Sequence, residues 1–577
     1  MTEGTSVYWE TFARRTLSRR RALTGAALAT AGAAVAVACG PRSKGGGGQT
    51  ARSSGAAGSD AAAAAIIGKE WNTSPGTPKY GGSISHAPTA PPLANLDPIL
   101  SASAMVHQVA SNAYSKLMRV SRKNDDLNTQ VLYPDLATSW ETASPTTWTF
   151  HLRPGVKFQN VPPTNGRPLT AEDIKYSILR SGTDKTSQLR GGFVNLDTIE
   201  IPDPQTLTLK LKRFDSLLFN NLAGHYAWVV PHELVEGPGL KNNMVGSGPF
   251  IFQNWEQDSQ LTFKKNPDYY LKGIPFVDEL KILQIGSQDD RIAALRSDRV
   301  LSQDQMFPSV YNSVKGDSHL QSQKYIVVSP RVLFMNYKEP LFQDDRVRKA
   351  ISLAIDPNAI IKIENEGEGL WRGVISNQIA GWSLSQDELK SKDYFLRQDV
   401  TEAKQLMAAA GHADGFQSEL LYNTSYPDFY KNNAQYLQQA LAAINIKVNL
   451  VGQEQTAFRK NQDDHNYKGF IYGLDGEGFS EAYLLDYRSD GPKNGSGISM
   501  KSLDDQIDQV LTTPDETERK AKAKDLTRQI LKQVLWKVEF DDDLQYVISQ
   551  SWGKNWMAPS PQVYNTTGLA FTWIDKS

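Results

Sequence analysis

Residues that could carry out chemistry are few in this chain, and their spacing matches no common catalytic or metal-binding motif. The eight histidines are scattered without a His-x-x-x-His pair, and PHELV at residues 231–235 is only half of a zinc-protease motif. The chain has neither the Gly-x-Ser-x-Gly turn of a serine hydrolase nor a Walker A segment. The acidic stretch SLDDQID lacks the glycine and the spacing of a calcium loop. These motifs therefore give no support to a metal site, a phosphate-binding loop or a hydrolytic site, and we expect no metal, cofactor or catalysis.

The single cysteine, Cys39, follows 17 uncharged residues, 22–38, which are preceded by an arginine-rich segment. A basic segment, an apolar run and small residues before a cleavage site are typical of an export signal. The run is short for a membrane-spanning helix, which needs about 20 strongly apolar residues. Residues 18–23, SRRRAL, resemble a twin-arginine signal, with alanine at the usual aromatic position, so the export route stays open.

The stretch AVAC at residues 36–39 resembles a lipobox, in which a peptidase cleaves before the cysteine and the thiol carries a diacylglycerol. We expect residues 1–38 to be an export signal peptide of the lipoprotein type and Cys39 to be the lipidated residue. The alternative is an uncleaved N-terminal anchor in which Cys39 has no role. Residues 39–78 then form a lipidated cysteine and a flexible linker, since Gly, Ala, Ser, Thr and Pro cannot bury enough apolar surface to fold.

Composition places the rest of the chain among soluble globular proteins. The chain has 577 residues, of which 40% are hydrophobic, and 62 basic residues nearly balance 63 acidic residues. A nucleic-acid-binding protein usually has a basic excess or a basic stripe, and neither is present here. A single cysteine also excludes a disulfide within the chain.

The segment TTWTFHLRPGVKF, residues 146–158, has the alternation of a half-buried strand. Trp148, Phe150 and Leu152 alternate with polar residues, Pro154-Gly155 favours a turn, and the alternation resumes afterwards. We expect a β-hairpin with one buried face. A helix should follow in LTAEDIKYSILR, because Thr170 and the residue three places later have the spacing of a capping box. Further on, the glycines of VGSGPF predict a tight turn, since no helix follows them as in a phosphate-binding loop.

From residue 331 onward, strand patterns and helix patterns alternate. RVLFMNY predicts a strand, and DDRVRKAISLAIDP predicts a helix that ends at Asp356. TEAKQLMAAAG predicts a helix that is capped by Thr401 and ends at Gly411. These patterns favour an α/β unit with helices packed over a sheet, joined to the preceding part near residues 325–332.

Six stretches of the chain, in this order, resemble the extracellular solute-binding proteins of family five, the dipeptide-, oligopeptide- and nickel-binding components of ABC importers. They are LATSWETASPTTWTFHLRPGVKF, RPLTAEDIKYSILR, VGSGPFIFQNW, LFMNYKEPLFQDDRVRKAISLAIDP, TEAKQLMAAAGHADGF and YLQQALAAINIKVNLV. The resemblance runs from about residue 79 to residue 577.

The resemblance implies an α/β, two-lobe, periplasmic-binding-protein-like fold with an extra subdomain in the first lobe. Lobe I would comprise residues 79–328 plus 548–577, with the subdomain within 116–243, and lobe II would comprise residues 329–547. The implied function is to capture an oligopeptide or similar polar solute in the interlobe cleft by hinge closure and to deliver it to an ABC permease. We expect a monomer that is exported, without cofactor or nucleic-acid partner, and held by its lipid at the outer face of the cell membrane or in the periplasm.

In peptide-binding members of the family, an acidic residue that precedes an Asp-Pro pair binds the peptide amine. The matching stretch here is KGFIYGLDGEGFSEAYLLDY, residues 468–487, in which Asp475 or Glu477 takes that role and Ser480-Glu481 replaces Asp-Pro. The alternative is that both acids are solvated loop residues. Other candidates follow strands or flank a loop that resembles the family's substrate-facing loop. They are His86, Thr89, Asn336, Tyr337, Trp371, Trp382, Asn423, Tyr426 and Tyr472.

Two other functions stay open on sequence grounds. One is an exported hydrolase on the same scaffold, although no nucleophile–base pair or metal set is visible. The other is a binding or sensing lipoprotein without a role in transport. The ligand is also open, because peptides, opines, metal chelates and oligosaccharides are all bound on this scaffold.

Overall fold

A computed structural model describes the chain from residue 77 to residue 576 with short gaps. The described ranges are 77–88, 93–101, 103–123, 126–187, 189–327, 331–379, 381–426, 428–474, 480–491, 494–534, 537–556 and 567–576. The predicted export signal, Cys39 and nearly all of the predicted linker lie outside these ranges, as do Thr89, Asp475 and Glu477.

The strands of the described residues, in chain order, are β1 (Ser83–Ala87), β2 (Met118–Lys123), β3 (Asp126–Pro134), β4 (Ala137–Ser144), β5 (Thr147–Leu152), β6 (Leu196–Asp203), β7 (Thr206–Leu211), β8 (Phe250–Glu256), β9 (Gln260–Lys265), β10 (Glu279–Leu283), β11 (Ser302–Met306), β12 (Leu320–Val327), β13 (Arg331–Met335), β14 (Gly369–Trp371), β15 (Phe416–Asn423), β16 (Ile446–Gln453), β17 (Phe470–Leu474), β18 (Lys537–Glu539), β19 (Asp541–Gln550), β20 (Gly553–Lys554) and β21 (Trp573–Ile574).

The α-helices are α1 (Ala104–Ala113), α2 (Ala171–Thr183), α3 (Leu218–Ala223), α4 (His232–Glu236), α5 (Gln288–Arg296), α6 (Pro308–Val314), α7 (Asp345–Ala354), α8 (Pro357–Asn365), α9 (Gln386–Leu389), α10 (Val400–Ala409), α11 (Asp428–Ala442), α12 (Gln455–Asp463), α13 (Lys501–Leu511) and α14 (Glu516–Gln533). Short 3₁₀ helices cover Pro340–Gln343, Ser480–Tyr487 and Thr567–Phe571. No helix of the described residues is long and apolar enough to cross a membrane.

The largest sheet has the strand order β12-β19-β11-β1-β10-β9-β8, and β14 pairs with β19 outside that path. β1 runs parallel to both of its neighbours, β10 and β11, and the remaining pairs are antiparallel. Apolar side chains of β1 and β10 pack with those of α1 in one buried core, which includes Ile84, Leu280, Val106 and Val109. This sheet is the framework of the first lobe.

The second sheet has the order β16-β15-β17-β13-β18. Its central strands are parallel, and β13 is antiparallel to both of its neighbours. All five residues of β13 are buried, as expected for the predicted strand RVLFM. Leu333 and Met335 of β13 share a core with Val347 and Ile351 of α7. Helices therefore cover this sheet, as the alternation of patterns after residue 331 predicts.

A separate antiparallel sheet with the order β4-β5-β7-β6 lies within residues 116–243, where the extra subdomain is expected. The hairpin predicted around Pro154-Gly155 is wrong, because β5 pairs with β4 and β7 instead of with residues 156–158. Val156 and Phe158 are buried in the core of this subdomain, so their alternation reflects packing under the sheet. Only Lys157 makes a strand-like bridge, to Pro168.

Helix boundaries agree with most of the local sequence signals. The capping box predicted at the start of α2 is present, since the Thr170 amide donates to Asp173 Oδ2 at 2.9 Å. The cap predicted at Thr401 is wrong, because α10 begins two residues earlier, where Asp399 Oδ1 accepts the amide of Glu402 at 3.0 Å. A carboxylate at that position accepts the free amides of the first turn. The predicted stop at Gly411 coincides with a positive φ of 84°.

Within the described residues the chain passes four times between the first and second sheets, because β14 pairs with β19 in the first sheet while β13 and β15 lie in the second. We name two of these passages, β12 to β13 and β18 to β19, the crossover segments. The first runs from the end of β12 at Val327 to the start of β13 at Arg331, within the predicted junction at 325–332. The second runs from β18 to β19, and β19 enters the large sheet at Asp541. The boundary predicted from the sequence for the return to lobe I was residue 548. The start of this strand has no strand pattern in the sequence, because residues 541–543 are three consecutive aspartates.

Candidate ligand-binding cleft and the charges at its crossovers

Four buried charged residues meet where the two crossover segments enter their sheets. We name Arg331, Glu364, Asp541 and Asp543 the crossover cluster. The Arg331 guanidinium contacts Oε1 of Glu364 and lies 3.0 Å from Oδ2 of Asp543. The side chains of Glu364 and Asp543 have no exposed surface, and that of Arg331 is 5% exposed. The cluster therefore joins β13 and α8 of the second lobe to β19 of the first.

The strand geometry of β19 explains which of its three acids belong to the cluster. Successive side chains of a strand point to opposite faces, so Asp541 and Asp543 share one face and Asp542 lies on the other. On that other face the Asp542 carboxylate contacts Arg372 and accepts the amide of Asn377 at 2.7 Å. Asp542 thereby holds the loop that follows β14.

The electrostatic balance of the crossover cluster is unfavourable if all its carboxyl groups are ionised. Burial raises the pKa of Glu364 well above its usual value, against the lowering effect of Arg331, and the charges of Asp543 and Asp541 raise it further. Burial, followed by the charge of Asp543, also raises the pKa of Asp541 well above its usual value. Among the described residues one guanidinium faces three carboxyl groups, so full ionisation would leave two negative charges without a described cation in a buried site.

Tyr472 is the predicted site residue that contacts this region most directly. Its hydroxyl accepts the Asn433 amide at 2.8 Å, and the same amide lies 3.4 Å from Oε2 of Glu364. Its ring packs against those of Tyr430 and Phe540, with centroids 5.7 Å and 6.4 Å away. Tyr472 therefore connects the crossover cluster to the end of β17, two residues before the segment 475–479 that contains the predicted acids.

Two further predicted residues lie beside this region. The Tyr426 ring packs 4.6 Å from that of Tyr430, and its hydroxyl accepts a hydrogen bond from Arg459 at 3.0 Å. Trp371 pairs through its backbone with Asp541, and its indole Nε1 donates to Asn358 Oδ1 at 2.9 Å. Tyr426 therefore lies near the cluster beside α11, and Trp371 lies near it on β14, a strand of the first sheet.

Trp382 and Asn336 are buried in the second lobe, and Tyr337 is partly buried there. Trp382 is 2% exposed in an apolar core, with the guanidinium of Arg519 5.7 Å from its ring centroid. The Asn336 amide donates to the carbonyl of Tyr467, and the Tyr337 ring packs beneath Arg348 at 5.6 Å. These contacts indicate that the three side chains support the fold.

His86 and Asn423 end strands in different lobes. His86 is fully buried at the end of β1, with Nδ1 2.9 Å from the Ser302 hydroxyl, and burial lowers its pKa. Asn423, at the end of β15, contacts Gln455 and accepts the Ser425 amide at 2.8 Å. Neither side chain contacts the crossover cluster in the structure.

No member of the crossover cluster is among the site residues predicted from the sequence. Arg331 and Asp543 are far apart in the chain, and no local pattern indicates that they pair. One usable signal was the acidic run at 541–543, because its first and third residues must share a strand face. Glu364 gave no such signal, since a glutamate in the last turn of a helix is ordinarily exposed.

Comparisons with known proteins settle the family. The family model described as "bacterial extracellular solute-binding proteins, family 5 Middle" matches residues 131–496, which is more than half of the chain. The chain belongs to this family. Members are periplasmic or extracellular binding proteins of ABC importers, which take a peptide or another small solute and work with a membrane permease.

Relatives differ in what their names say they bind. Heme-binding protein A of Haemophilus influenzae is 26% identical over 399 residues, which cover 64% of this chain and 70% of that protein. Di/tripeptide-binding protein 1 of Pseudomonas aeruginosa is 27% identical over 425 residues, which cover 64% of this chain and 75% of the relative.

Solved structures match the fold over most of the chain. The binding protein DppA from Helicobacter pylori in complex with a peptide has a TM-score of 0.72 at 21% identity, covering 86% of this chain and 99% of its own. The binding protein AgaA from A. tumefaciens with agropinic acid has a TM-score of 0.71 at 24% identity, with the same coverage of both chains. The predicted family and the predicted α/β fold of the periplasmic-binding-protein type are confirmed.

Proposed function

We propose that this chain is a lipid-anchored receptor of an ABC importer that captures an oligopeptide or similar polar solute and delivers it to the permease. The observation that carries the proposal is the family match, together with a binding-protein fold that spans 86% of the chain. The solute lies in the cleft between the lobes, and binding requires no chemical step. Turnover of a peptide or an ester by the purified protein would contradict this last point.

The two crossover segments provide the hinge for capture. A solute that contacts both lobes binds the closed arrangement more tightly than the open one and so shifts the population toward closure. The two predicted acids, Asp475 and Glu477, follow Tyr472, whose hydroxyl is hydrogen-bonded beside the crossover cluster. We propose that the solute's amine or another polar donor binds one of these acids. We also propose that the boundary between the lobes lies at the crossover segments.

Solute binding is tested by the thermal stability of the purified protein against a panel of peptides and other polar solutes. A solute present at 100 times its dissociation constant stabilises the folded state by about 2.7 kcal/mol, which is measurable as a higher melting temperature. Tyr472→Phe should weaken that shift. Tyr394→Phe is the matched control, because it also removes the hydroxyl of a buried tyrosine, but one that donates to Glu388 at 2.9 Å and not one that is hydrogen-bonded beside the crossover cluster. A panel that leaves the melting temperature unchanged contradicts the proposal.

The lipid anchor is tested separately at Cys39. Cys39→Ser should block processing or release the protein from the membrane fraction, because the serine hydroxyl cannot carry the thioether-linked lipid. Ser43→Ala, a conservative change beyond the cleavage site, is the control. A Cys39→Ser protein that is still processed and membrane-bound rejects the anchor and leaves the solute-binding proposal intact.

A further inference from the structure

Residues 212–217, which we name the subdomain strap, belong to the first lobe but are packed against the second. The strap begins and ends at the subdomain, since Leu211 before it and Leu218 after it both lie in the apolar core of the subdomain. Leu217 lies instead in an apolar core of the second lobe, together with Ile507 of α13. The lobes therefore meet at the strap through side-chain packing, apart from the passages of the chain between the two sheets.

Polar groups of the strap also contact α13. The Ser216 amide donates to the carbonyl of Leu511 at 3.2 Å, and Ser216 is 1% exposed. Arg213 lies 3.7 Å from the carboxylate of Asp508, which Arg488 also contacts at 2.5 Å. Because the pair of Arg213 and Asp508 is partly exposed to water, it contributes little free energy. The buried groups of the strap must therefore supply most of its attachment to the second lobe.

Phe214 is the aromatic anchor of the strap. It is 8% exposed, and its ring centroid lies 5.7 Å from the guanidinium carbon of Arg519 on α14. Arg519 is fully buried, and it donates to Oε1 of Glu481 at 2.8 Å and to the carbonyls of Thr513 and Pro514. A guanidinium held by several acceptors presents its charge in a fixed position, and the face of an aromatic ring is attracted to such a charge.

Glu481 fixes this surface from the other side. It is one of the two residues that stand where peptide-binding members of the family have Asp-Pro, and it is 1% exposed near the start of the 3₁₀ helix Ser480–Tyr487. Its carboxylate is engaged by Arg519 within the second lobe. The replaced position therefore supports the surface on which Phe214 lies.

We propose that the subdomain strap is an interlobe latch, in which Phe214 on the Arg519–Glu481 pair holds the lobes together and sets how firmly the protein retains a solute. The inference rests on the hinge closure proposed above. Separation of the lobes breaks these contacts, so they stabilise the closed state relative to the open one. The apparent affinity for a solute rises with the fraction of molecules in the competent state, and the latch raises that fraction.

Hydrogen–deuterium exchange followed by mass spectrometry measures the latch in the full chain without added solute. Phe214→Ala should accelerate exchange in the peptide that contains Ser216 by about tenfold or more, because loss of a buried phenylalanine ring weakens its contact by more than that factor. Exchange in β5 of the subdomain and in β13 of the second lobe should be unchanged. Small-angle X-ray scattering of the same sample should give a larger radius of gyration than that of the wild type.

Phe252→Ala is the matched control, because it removes a phenylalanine ring from the first lobe at β8, the edge strand of the large sheet, where that ring packs 5.6 Å from Phe263. It should leave exchange in the strap as in the wild type. Phe214→Leu keeps the apolar character of the site and provides a second variant if Phe214→Ala fails to fold, with a smaller acceleration at the same residues.

Three results overturn the latch. They are unchanged exchange in the strap of the folded Phe214 variants, an equal acceleration in β5 and β13, and an unchanged radius of gyration. A protein whose strap responds as expected but whose stability no solute of the panel raises rejects the proposed function and leaves the latch intact.

Discussion

Replacement of Arg331 by methionine should be one of the most destabilising single changes in the second lobe. The side chain is 5% exposed and contacts Glu364 and Asp543, whose side chains have no exposed surface. Methionine keeps most of the volume but removes the only guanidinium of the cluster. Removing one partner of a buried ion pair costs about 3–5 kcal/mol, because the remaining charge stays buried without compensation.

The pH dependence of that loss follows from the direction of the pKa shifts. Arg331 lowers the pKa of Glu364, so its removal raises that pKa further above the value in the unfolded chain. When the pKa of a carboxyl group is higher in the folded protein, the folded state holds the proton more tightly than the unfolded chain does. The stability from this proton is fully present below the unfolded-state pKa and is lost as the pH rises through the folded-state pKa. The destabilisation caused by Arg331→Met should therefore be smaller at pH 5 than at pH 8.

Equilibrium urea unfolding followed by tryptophan fluorescence measures this difference. Arg346→Met is the matched control, since Arg346 is 47% exposed in a surface ion pair with Asp344. Surface substitutions of this kind change the free energy of unfolding by about 0.5 kcal/mol or less. A loss below about 1 kcal/mol for Arg331→Met, equal at both pH values, would refute the electrostatic account of the crossovers.

Three further predictions concern local structure and the titration of the wild-type protein. Asp173→Ala should lower the free energy of unfolding by about 1–2 kcal/mol in urea, because Asp173 accepts the Thr170 amide at the start of α2 and also pairs with Arg167. An unchanged midpoint would show that neither contact contributes. Gly246→Ala should cost about 1–3 kcal/mol, since its Cβ would lie 2.3 Å from the carbonyl oxygen of Ala113, whereas Gly286→Ala meets no atom within 4 Å and should be neutral. The wild-type protein should lose stability between pH 5 and pH 7 by up to about 1.4 kcal/mol per pH unit for each retained proton, and Glu364→Gln should flatten that slope. A slope that is the same in both proteins would exclude Glu364 as a proton carrier.

Local and family-level signals in the sequence predicted much of the fold. The spacing of Thr170 and Asp173 predicted the start of α2, and the apolar run after residue 331 predicted the buried strand β13. These features depend on a few neighbouring residues, so one sequence is enough to recognise them. The order of six matching stretches predicted the family and with it the two-lobe architecture.

Local sequence patterns do not predict which distant segments of the chain pair with each other. Alternation at residues 146–158 gave the strand β5 but not its partners, because Val156 and Phe158 are buried by packing rather than by strand pairing. The crossover cluster brings together residues from β13, α8 and β19, and its charges are explained only by their mutual contacts. Of the predicted site residues, Tyr472 lies at this cluster, while Trp382 and Asn336 are held inside the second lobe.

Mass spectrometry of the small molecules released from the natively purified protein tests the central claim most directly. The account predicts a peptide or similar polar solute, recovered in an amount comparable with the protein, that raises the melting temperature when it is returned to the stripped protein. Loss of that rebinding in Tyr472→Phe, with retention in Tyr394→Phe, would place the solute at the cleft. A protein that releases no solute and gains no stability from any released fraction would contradict the assignment of this chain as a solute receptor.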